Sequence, residues 1–218
     1  MVGELDVRYL LEGRLRKAGE RIRVTVQLID GITADHVWAH RYDRELRDVF
    51  AMQDEITESV VAAIAPEVVT AEMQRAQRKD LRDLGVWDAI MRARWHLMRF
   101  SAEDNDETKR LLGLACHQDP NNVVAWSDLA WSHLFDFSFG WSDSAPQSLE
   151  LAARAAAKAI ALDRSDGRAW TAHGIVALFS SNHEDAQDSL RKSIELNPND
   201  PLAHGYLGLT LAFSGDGD

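Results

Sequence analysis

Two segments in the last quarter of the chain align with each other at a spacing of 34 residues. The aligned pairs are Trp170 and His204, Gly174 and Gly208, Ala177 and Leu211, and Ser181 and Gly215. A period of this length is typical of stacked helical repeats, in which one helix pair cannot bury its apolar face alone. Such arrays present extended surfaces that hold other molecules. The spacing therefore favours a binding or regulatory module over an enzyme.

Composition narrows the possible partners and the cellular compartment. The chain has 218 residues, a net charge of −11 and a single cysteine, Cys116. An acidic chain repels phosphate backbones, so no nucleic-acid partner is predicted. One cysteine cannot form an intrachain disulfide, which fits a reducing cytoplasm. No stretch reaches the roughly 20 apolar residues that span a bilayer, and no export signal is found. We therefore expect no membrane partner and a cytoplasmic location.

The first 43 residues are predicted to form three strands. Residues 21–30 alternate polar and apolar side chains, which is typical of a half-buried strand. Residues 9–16 form a second candidate, joined to the first by a short connection that contains a glycine, and residues 35–42 form a third. Three antiparallel strands with one apolar face need another element to bury that face.

A helix within residues 46–79 is predicted to be that element. Its apolar positions recur at intervals of three or four residues and are Val49, Met52, Ile56, Val60 and Ile64. Pro66 lies within the pattern and should end or kink the helix near Ala65. Residues 72–83 are mostly polar and charged, which indicates an exposed connecting helix. The predicted domains are therefore 1–65, a connecting helix over 66–83, and 84–218.

From residue 84 onward the pattern is helical and is divided by three breaks, residues 119–122, 163–166 and 197–200. Asp and Asn side chains in these breaks can cap the next helix. Pro120 and Pro198 are 78 residues apart, which is two periods of 34 plus ten, and we place the extra ten at residues 137–146. The predicted repeats are 85–120, 121–164, 165–198 and a partial repeat, 199–218. Gly174 and Gly208 should allow paired helices to approach closely.

The helical half resembles the tetratricopeptide-repeat (TPR) family. After the aromatic Trp170, the second helix of the repeat carries its small, bulky, apolar and terminating residues at Ala186, Leu190, Ile194 and Pro198. The resemblance implies a helical solenoid that binds proteins. With the N-terminal strands, the predicted fold class is α+β: a small three-stranded antiparallel sheet with a helix, followed by an all-α TPR solenoid.

The N-terminal half resembles the C-terminal part of the TolB-like α/β domain. The motifs that carry this resemblance are residues 7–13, 21–30, 37–44 and 49–56, in this order. In bacterial regulators such a domain precedes TPRs and commonly follows a class III adenylate or guanylate cyclase domain or a winged-helix domain. The resemblance implies a partial TolB-like domain over residues 1–65 and the middle part of a longer signalling protein.

Two functions follow from these patterns. The first is a non-catalytic protein–protein interaction or regulatory module of a bacterial signalling protein. The alternative is a fragment of a class III adenylate or guanylate cyclase whose N-terminal catalytic domain is not in this chain. No glycine-rich phosphate loop, Gly-x-Ser-x-Gly elbow or Cys-x-x-Cys pair is present, and the metal-binding carboxylates of a cyclase cannot be placed. We therefore expect no turnover and no cofactor.

Three groups of chemically capable side chains are interpreted as structural. His36 and His40 are four residues apart in a strand, about 13 Å, which is too far to share a metal ion. Cys116, beside His117, occupies a position that packs inside a helix pair. Residues 104–107 lack the glycine and the distal glutamate of a calcium loop and fit a turn that leads into a helix.

The predicted binding groove follows the first helices of two repeats. Its residues are Trp131, Leu134, Phe135, Arg168, Thr171, Ile175 and Phe179. An apolar groove with one fixed cation, Arg168, suits a protein segment with hydrophobic anchors and a carboxylate, or another domain of the parent protein. The aromatic run of Trp131, Phe135, Phe137, Phe139 and Trp141 forms either an exposed docking cluster or a core under a folded loop.

Self-association is also expected. An unpaired strand at the edge of the sheet can pair with another chain. The last half repeat has no partner helix for its apolar residues, which are Leu202, Leu207, Leu211 and Phe213.

Overall fold

Three strands precede eight helices in the residues that the computed structural model describes, which are 7–45, 49–80 and 83–214. The strands are β1 (Tyr9–Ala18), β2 (Arg21–Asp30) and β3 (His36–Glu45). The helices are α1 (Val49–Gln77), α2 (Val86–Leu97), α3 (Ala102–Gln118), α4 (Val123–Phe139), α5 (Ala145–Leu162), α6 (Gly167–Phe179), α7 (His183–Leu196) and α8 (Pro201–Ser214). The chain divides into two compact units, Met1–Arg75 and Ala76–Asp218. The predicted α+β fold class is confirmed. Positions 1–6, 46–48, 81–82 and 215–218 of the predicted domains lie outside the described residues.

The three strands form one antiparallel sheet in the order β1-β2-β3. β1 and β2 are joined by a two-residue turn whose first residue, Gly19, has φ +60°, a conformation that favours glycine. Ile22, Val26 and Leu28 of β2 are buried on one face, as the alternating pattern predicts. One irregularity in the pairing of β2 with β3 lies between Leu28 and Ile29.

Helix α1 covers the apolar face of this sheet. Its Val60 packs with Val26 and Tyr42, and the surrounding partly buried residues are Val24, Trp38, Ile56 and Ile64. The side chains of Val49 and Met52 lie outside the described residues. The prediction that the strands are covered by this helix is confirmed.

The helix does not end at Ala65, because α1 continues through Pro66 to Gln77. A proline inside a helix removes one backbone hydrogen bond, so other contacts must hold the second half of α1. Glu72 supplies them. Its carboxylate accepts a hydrogen bond from the Tyr9 hydroxyl at 2.7 Å and forms ion pairs with Arg8 at 2.7 Å and Arg75 at 2.6 Å. These contacts tie the helix to the start of β1, which the polar character of residues 72–83 did not indicate.

The buried Glu72 carboxylate predicts acid sensitivity of the N-terminal unit. Burial raises its pKa, but hydrogen bonds from Arg75 and Tyr9 and the charges of Arg75 and Arg8 outweigh burial and lower the pKa to about 2. The folded pKa lies below the ordinary value of 4.5, so the stabilisation is present above pH 4.5 and is lost as the pH falls towards 2. Urea unfolding of 5-fluorotryptophan-labelled protein, followed by the ¹⁹F resonance of position 38 to separate it from the other six tryptophans, is expected to show this loss in the wild type. In Glu72→Gln the free energy of unfolding should change less with pH over this range than in the wild type. An identical pH dependence in both proteins would contradict the assignment of this stabilisation to Glu72.

The second unit is a series of helix pairs. The pairs are α2 with α3, α4 with α5, and α6 with α7, and α8 packs on α7 without a successor among the described residues. Each first helix after a break is capped as predicted: Asn122 accepts from the amide of Ala125 at 3.1 Å, and Asp166 from that of Ala169 at 3.2 Å. No strand occurs in residues 83–214.

The ten extra residues of the second repeat are not confined to residues 137–146. Compared with α6 and α7, α4 and α5 are each four residues longer, and the connection over residues 140–144 exceeds that over 180–182 by two residues. Four residues are close to one helical turn. Lengthening both antiparallel helices by one turn extends the pair and keeps the same faces in contact, which explains how the insertion is accommodated.

The two glycines that align at the repeat spacing differ in their surroundings. A Cβ atom added to Gly174 would lie 2.6 Å from Leu190 Cγ and 3.3 Å from the Ala186 carbonyl oxygen. A Cβ atom added to Gly208 would meet no atom within 4 Å. The predicted close approach is therefore confirmed at Gly174 and wrong at Gly208, because no second helix packs on α8 in the described residues.

Cys116 is buried inside the α2–α3 pair, as its position in the repeat predicted. Burial, with a smaller contribution from the charge of Asp119, raises the pKa of its thiol to about 11. A thiol of this pKa is a poor nucleophile at neutral pH. The structural interpretation of Cys116 is confirmed.

Candidate protein-binding site

The first helices of successive repeats lie side by side, since α2 contacts α4, α4 contacts α6, and α6 contacts α8. All seven residues predicted to line the groove are on α4 and α6. Leu134, Thr171 and Ile175 are almost fully buried, with exposures of 2%, 0% and 2%, and Trp131 is also buried. The prediction that these four side chains line an open groove is wrong.

Their burial has a simple packing cause. Trp131 and Leu134 of α4 and Ile175 of α6 belong to one apolar core with α5, whose contribution is Ala152, Ala155 and Ala156. Small alanine side chains let the helices approach closely, so the larger residues of α4 and α6 fill the space between them. Thr171 is held in a polar contact instead, where its hydroxyl lies 2.6 Å from that of Ser193 and donates to Asp200 at 2.9 Å.

Phe135 and Phe179 keep part of their surface accessible but lie in different clusters. Phe179 is 42% exposed and contacts Phe137 at a ring-centroid distance of 4.9 Å. Phe135 contacts Phe100 at 5.8 Å and Phe139 at 5.9 Å. The structure therefore divides the predicted aromatic run. Trp131 is buried, although its ring still contacts that of Phe135 at 6.2 Å, and Phe137 contacts Phe179 of α6, whereas Phe135, Phe139 and Trp141 belong to a surface cluster.

We define the aromatic cluster as Phe100, Phe135, Phe139 and Trp141. Phe100 is 54% exposed and Phe139 is 48% exposed. Phe100 contacts Phe139 at a centroid distance of 4.8 Å and Trp141 at 5.3 Å, in edge-to-face geometry. The cluster joins the end of the α2–α3 connection to the end of α4. Sequence reasoning missed Phe100, because it lies 35 residues before Phe135 and outside the aromatic run.

Phe100 has an unusual backbone conformation. Its φ angle is +53°, in the left-handed region that a bulky side chain rarely adopts. The flanking residues are fixed by Asp104, which accepts hydrogen bonds from His96 at 2.8 Å, Ser101 at 2.8 Å and Arg99 at 3.1 Å. These hydrogen bonds lower the pKa of Asp104 to about 2, with those from His96 and Ser101 contributing more than that from Arg99. The chain thus holds an exposed phenylalanine in a strained conformation. Residues 104–107 lie within α3, which begins at Ala102, so they belong to the helix itself and the predicted turn before a helix is wrong.

The end of α4 that carries Phe135 and Phe139 is also fixed. Between these two residues, Asp136 is buried and accepts from the Asn105 amide at 2.7 Å and from Lys109 at 2.5 Å. Both donors are on α3, so the last turn of α4 is attached to the preceding repeat. The aromatic cluster is therefore held from both sides by buried polar contacts, and a partner would meet a pre-organised surface.

Arg168, predicted as the one fixed cation of the groove, is paired with a carboxylate of this chain. It lies 3.1 Å from Asp128, and Arg94 donates to the same carboxylate at 2.6 Å. The guanidinium of Arg168 also lies over the Trp131 ring, 5.7 Å from its centroid. Two cations thus share one buried carboxylate. Sequence reasoning missed Arg94 and Asp128, although their separation of 34 residues equals the repeat period.

A shallow cavity of about 310 Å³ lies beside this charge cluster. Its lining residues are Arg94, Val123, Val124, Ser127, Asp128, Asp163, Asp166 and Arg168. The Ser127 hydroxyl is buried and finds no hydrogen-bond partner among the described residues. The cavity combines apolar walls with two arginines and three carboxylates, which suits a small apolar anchor next to a polar group.

The residues that the structure describes contain no cluster of metal-ligating side chains. None of their His, Cys, Asp and Glu side chains form a group of three or more that could hold a metal ion. The His40 ring stacks on Trp38 at a centroid distance of 5.9 Å and lies edge-to-face with Tyr42 at 4.7 Å. In residues 49–80 and 83–214, no helix combines the length and apolar character needed to cross a bilayer.

The surfaces expected to self-associate are partly accessible. β1 and β3 are the two edges of the described sheet, and Leu11 and Leu15 of β1 are 49% and 63% exposed. On α8, Leu202 and Phe213 are exposed, whereas Leu207 and Leu211 are half-buried. Self-association through either surface stays a prediction.

Comparison with known proteins identifies one related chain and a structural class. No protein-family model matches the chain. A curated relative, the putative adenylate cyclase 3 of Rhizobium meliloti (strain 1021), is 38% identical over 163 residues, which cover 75% of this chain and 28% of the relative. The chain thus spans little more than a quarter of the length of the curated relative it matches.

Two solved structures resemble the helical part. One is the first TPR domain of Spaghetti (RPAP3) bound to an HSP90 peptide, with a TM-score of 0.50, 18% identity, and coverage of 60% of this chain and 93% of that one. The other is the Sgt2 TPR domain from Aspergillus fumigatus, with a TM-score of 0.50, 18% identity, and coverage of 60% and 80%. At this identity the similarity establishes the fold. The C-terminal helices form a TPR-like solenoid.

Proposed function

We propose that this chain is a non-catalytic protein-interaction module of a bacterial signalling protein and acts in the cytoplasm. In this proposal residues 1–65 are a partial TolB-like domain, residues 66–83 connect it, and residues 84–218 are the TPRs that bind the partner. The partner is a protein segment or another domain of the parent protein. The observation that carries the proposal is the exposed aromatic cluster, in which Phe100 keeps a left-handed backbone conformation.

Three features support a protein partner at this surface. Contiguous exposed aromatic residues often mark protein-interaction sites, whereas single exposed apolar residues are common on any surface. Aromatic anchors that become buried dominate the affinity of many interfaces. Backbone strain persists where the surrounding structure fixes it, and such positions concentrate at functional sites. A solved TPR domain of the same fold, that of Spaghetti (RPAP3), is bound to an HSP90 peptide.

The proposal is tested by removing the aromatic surface without weakening the fold. Phe100→Gly removes one ring and relieves the left-handed conformation, so its stability should stay within about 1 kcal/mol of the wild type. Combined with Phe139→Ala, it should reduce recovery of partner proteins from the source-cell lysate by about tenfold or more. Phe213→Ala, on α8, is the matched control because Phe213 is 66% exposed and lies outside the cluster. Quantitative mass spectrometry of the captured proteins gives the comparison. Equal recovery by all three proteins would rule out the aromatic cluster.

A second candidate function is favoured by the curated relative, which is named a putative adenylate cyclase. In this proposal the chain is a fragment of a class III adenylate or guanylate cyclase whose catalytic domain is not in this chain. Sequencing upstream of the Met1 codon tests it directly, since an in-frame cyclase region would support it. In either case the isolated chain is proposed to form no cyclic nucleotide from ATP or GTP.

A further inference from the structure

The face of the sheet opposite to α1 is polar and rich in arginine. Because side chains alternate along a strand, the register places Arg14, Thr25 and Arg41 in one row across the three strands, and Arg16, Arg23 and Asp43 in the next. We call this surface the arginine face. It borders an open cavity of about 640 Å³ lined by Glu12, Gly13, Arg14, Arg16, Arg23, Thr25, Gln27 and Arg41.

The positive charges of the arginine face are only partly balanced. Asp43 accepts from Arg23 at 2.7 Å and lies 3.4 Å from Arg41, so one carboxylate serves two guanidinium groups. Glu12 accepts from the Gln27 amide at 2.8 Å. The side chains of Arg14 and Arg16 form no hydrogen bond or ion pair with any residue in 7–45, 49–80 or 83–214. These two exposed arginines are therefore available to an external anion.

The charge of this surface is opposite to that of the whole chain. The arginine face and the cavity beside it hold four arginines and two carboxylates, Glu12 and Asp43, whereas the whole chain contains 24 Lys and Arg and 35 Asp and Glu. A local excess of arginine in a chain of net charge −11 indicates an anionic partner. Arginine is suited to this role, because its planar guanidinium binds carboxylates through two parallel hydrogen bonds.

We propose that the arginine face binds an acidic protein segment whose carboxylates recur at alternate residues. Alternate residues of an extended segment are spaced by about 6.6 Å, the same spacing as Arg14 and Arg16 on β1. Each exposed arginine contact contributes little, so several contacts made at once are needed, which favours a segment over a single small anion. A long nucleic acid would extend beyond this face and be repelled by the acidic remainder of the chain. The surface shares no residue with the aromatic cluster.

The proposal is tested with a synthetic fluorescein-labelled peptide of twelve residues that alternate glutamate and threonine. Fluorescence anisotropy with the full chain at low ionic strength should show saturable binding that weakens as salt is added. The double variant Arg14→Gln, Arg16→Gln should bind about tenfold more weakly. The double variant Arg154→Gln, Arg191→Gln changes the net charge equally at two exposed positions of α5 and α7, and should bind like the wild type.

Three competitors distinguish other occupants. A peptide with glutamine in place of glutamate should not displace the probe, and its equal competition would overturn the proposal. Single-stranded DNA of equal charge that competes more strongly than the unlabelled acidic peptide would assign the face to nucleic acid and contradict it. Full displacement of the labelled peptide by millimolar inorganic phosphate at constant ionic strength would show that the arginine face binds a small anion, and would contradict the proposal. No binding of the peptide, or equal weakening by both double variants, would also overturn the proposal.

Discussion

Gly174→Ala is expected to lower the free energy of unfolding by about 2 kcal/mol, because the added methyl group has no space to occupy. Its Cβ would lie 2.6 Å from Leu190 Cγ, the branch point of a fully buried side chain, and 3.3 Å from a backbone carbonyl of α7. Neither atom is the free end of a flexible group, so α6 and α7 would have to move apart. The higher helix propensity of alanine offsets only about 1 kcal/mol of the destabilisation caused by this clash.

Gly208→Ala is the matched control, since Gly208 occupies the same position one repeat later. Its added Cβ meets nothing within 4 Å. The same substitution should therefore raise the stability by up to about 1 kcal/mol through helix propensity alone. Urea unfolding monitored by circular dichroism compares both variants with the wild type. Changes of the same sign at the two positions would contradict the assigned packing of α6 on α7.

The sequence predicted the parts of the fold that depend on periodicity and on caps. Alternation in residues 21–30 and the spacing of Ile56, Val60 and Ile64 predicted a sheet covered by a helix, because both patterns report which face is buried. Asn122 and Asp166 predicted where helices begin, because these side chains satisfy free backbone amides.

Other features depend on contacts between distant residues and left no local pattern. Pro66 signals a helix end, yet α1 continues because Glu72 is held by residues more than 60 positions earlier in the sequence. The ten-residue insertion was placed in a connection with Gly, Ser and Pro, whereas most of it lengthens two helices. Adding a full turn preserves the periodic pattern, so periodicity cannot detect it.

Several side chains predicted to line the binding groove are buried, and the cause again lies in contacts between distant residues. Helix α4 carries apolar residues around most of its circumference, so the pattern could not tell which of them face the core. The alanines of α5 determine which of them are buried, because their small side chains leave space that Trp131 and Leu134 fill. The charge cluster was missed because a lone aspartate in a helix is usually solvent-exposed, whereas Asp128 is 1% exposed.

Asp128→Ala is expected to lower the free energy of unfolding by about 3 kcal/mol, since removing one member of a buried ion pair leaves its partners without a counter-charge. Arg94 donates to this carboxylate at 2.6 Å and Arg168 lies 3.1 Å from it, so a single substitution affects three helices, α2, α4 and α6. The loss should lie at the lower end of the range for buried pairs. The side chains of Arg94 and Arg168 are 26% and 54% exposed, and water can take over part of the contact.

Asp106→Ala is the control that separates burial from ion pairing. Asp106 also lies within a helix and pairs with Lys109 at 2.9 Å, but its side chain is 74% exposed. Exposed pairs contribute little, so its loss should be at most about 0.5 kcal/mol. Urea unfolding of both variants at low and high salt provides the measurement. A loss for Asp128→Ala no larger than that for Asp106→Ala would show that the arginines do not depend on this carboxylate. A large loss of stability for Asp128→Ala alone would instead show that this carboxylate is a main contact between the three repeats. Neither the repeat pattern nor the apolar periodicity of the sequence identifies this residue.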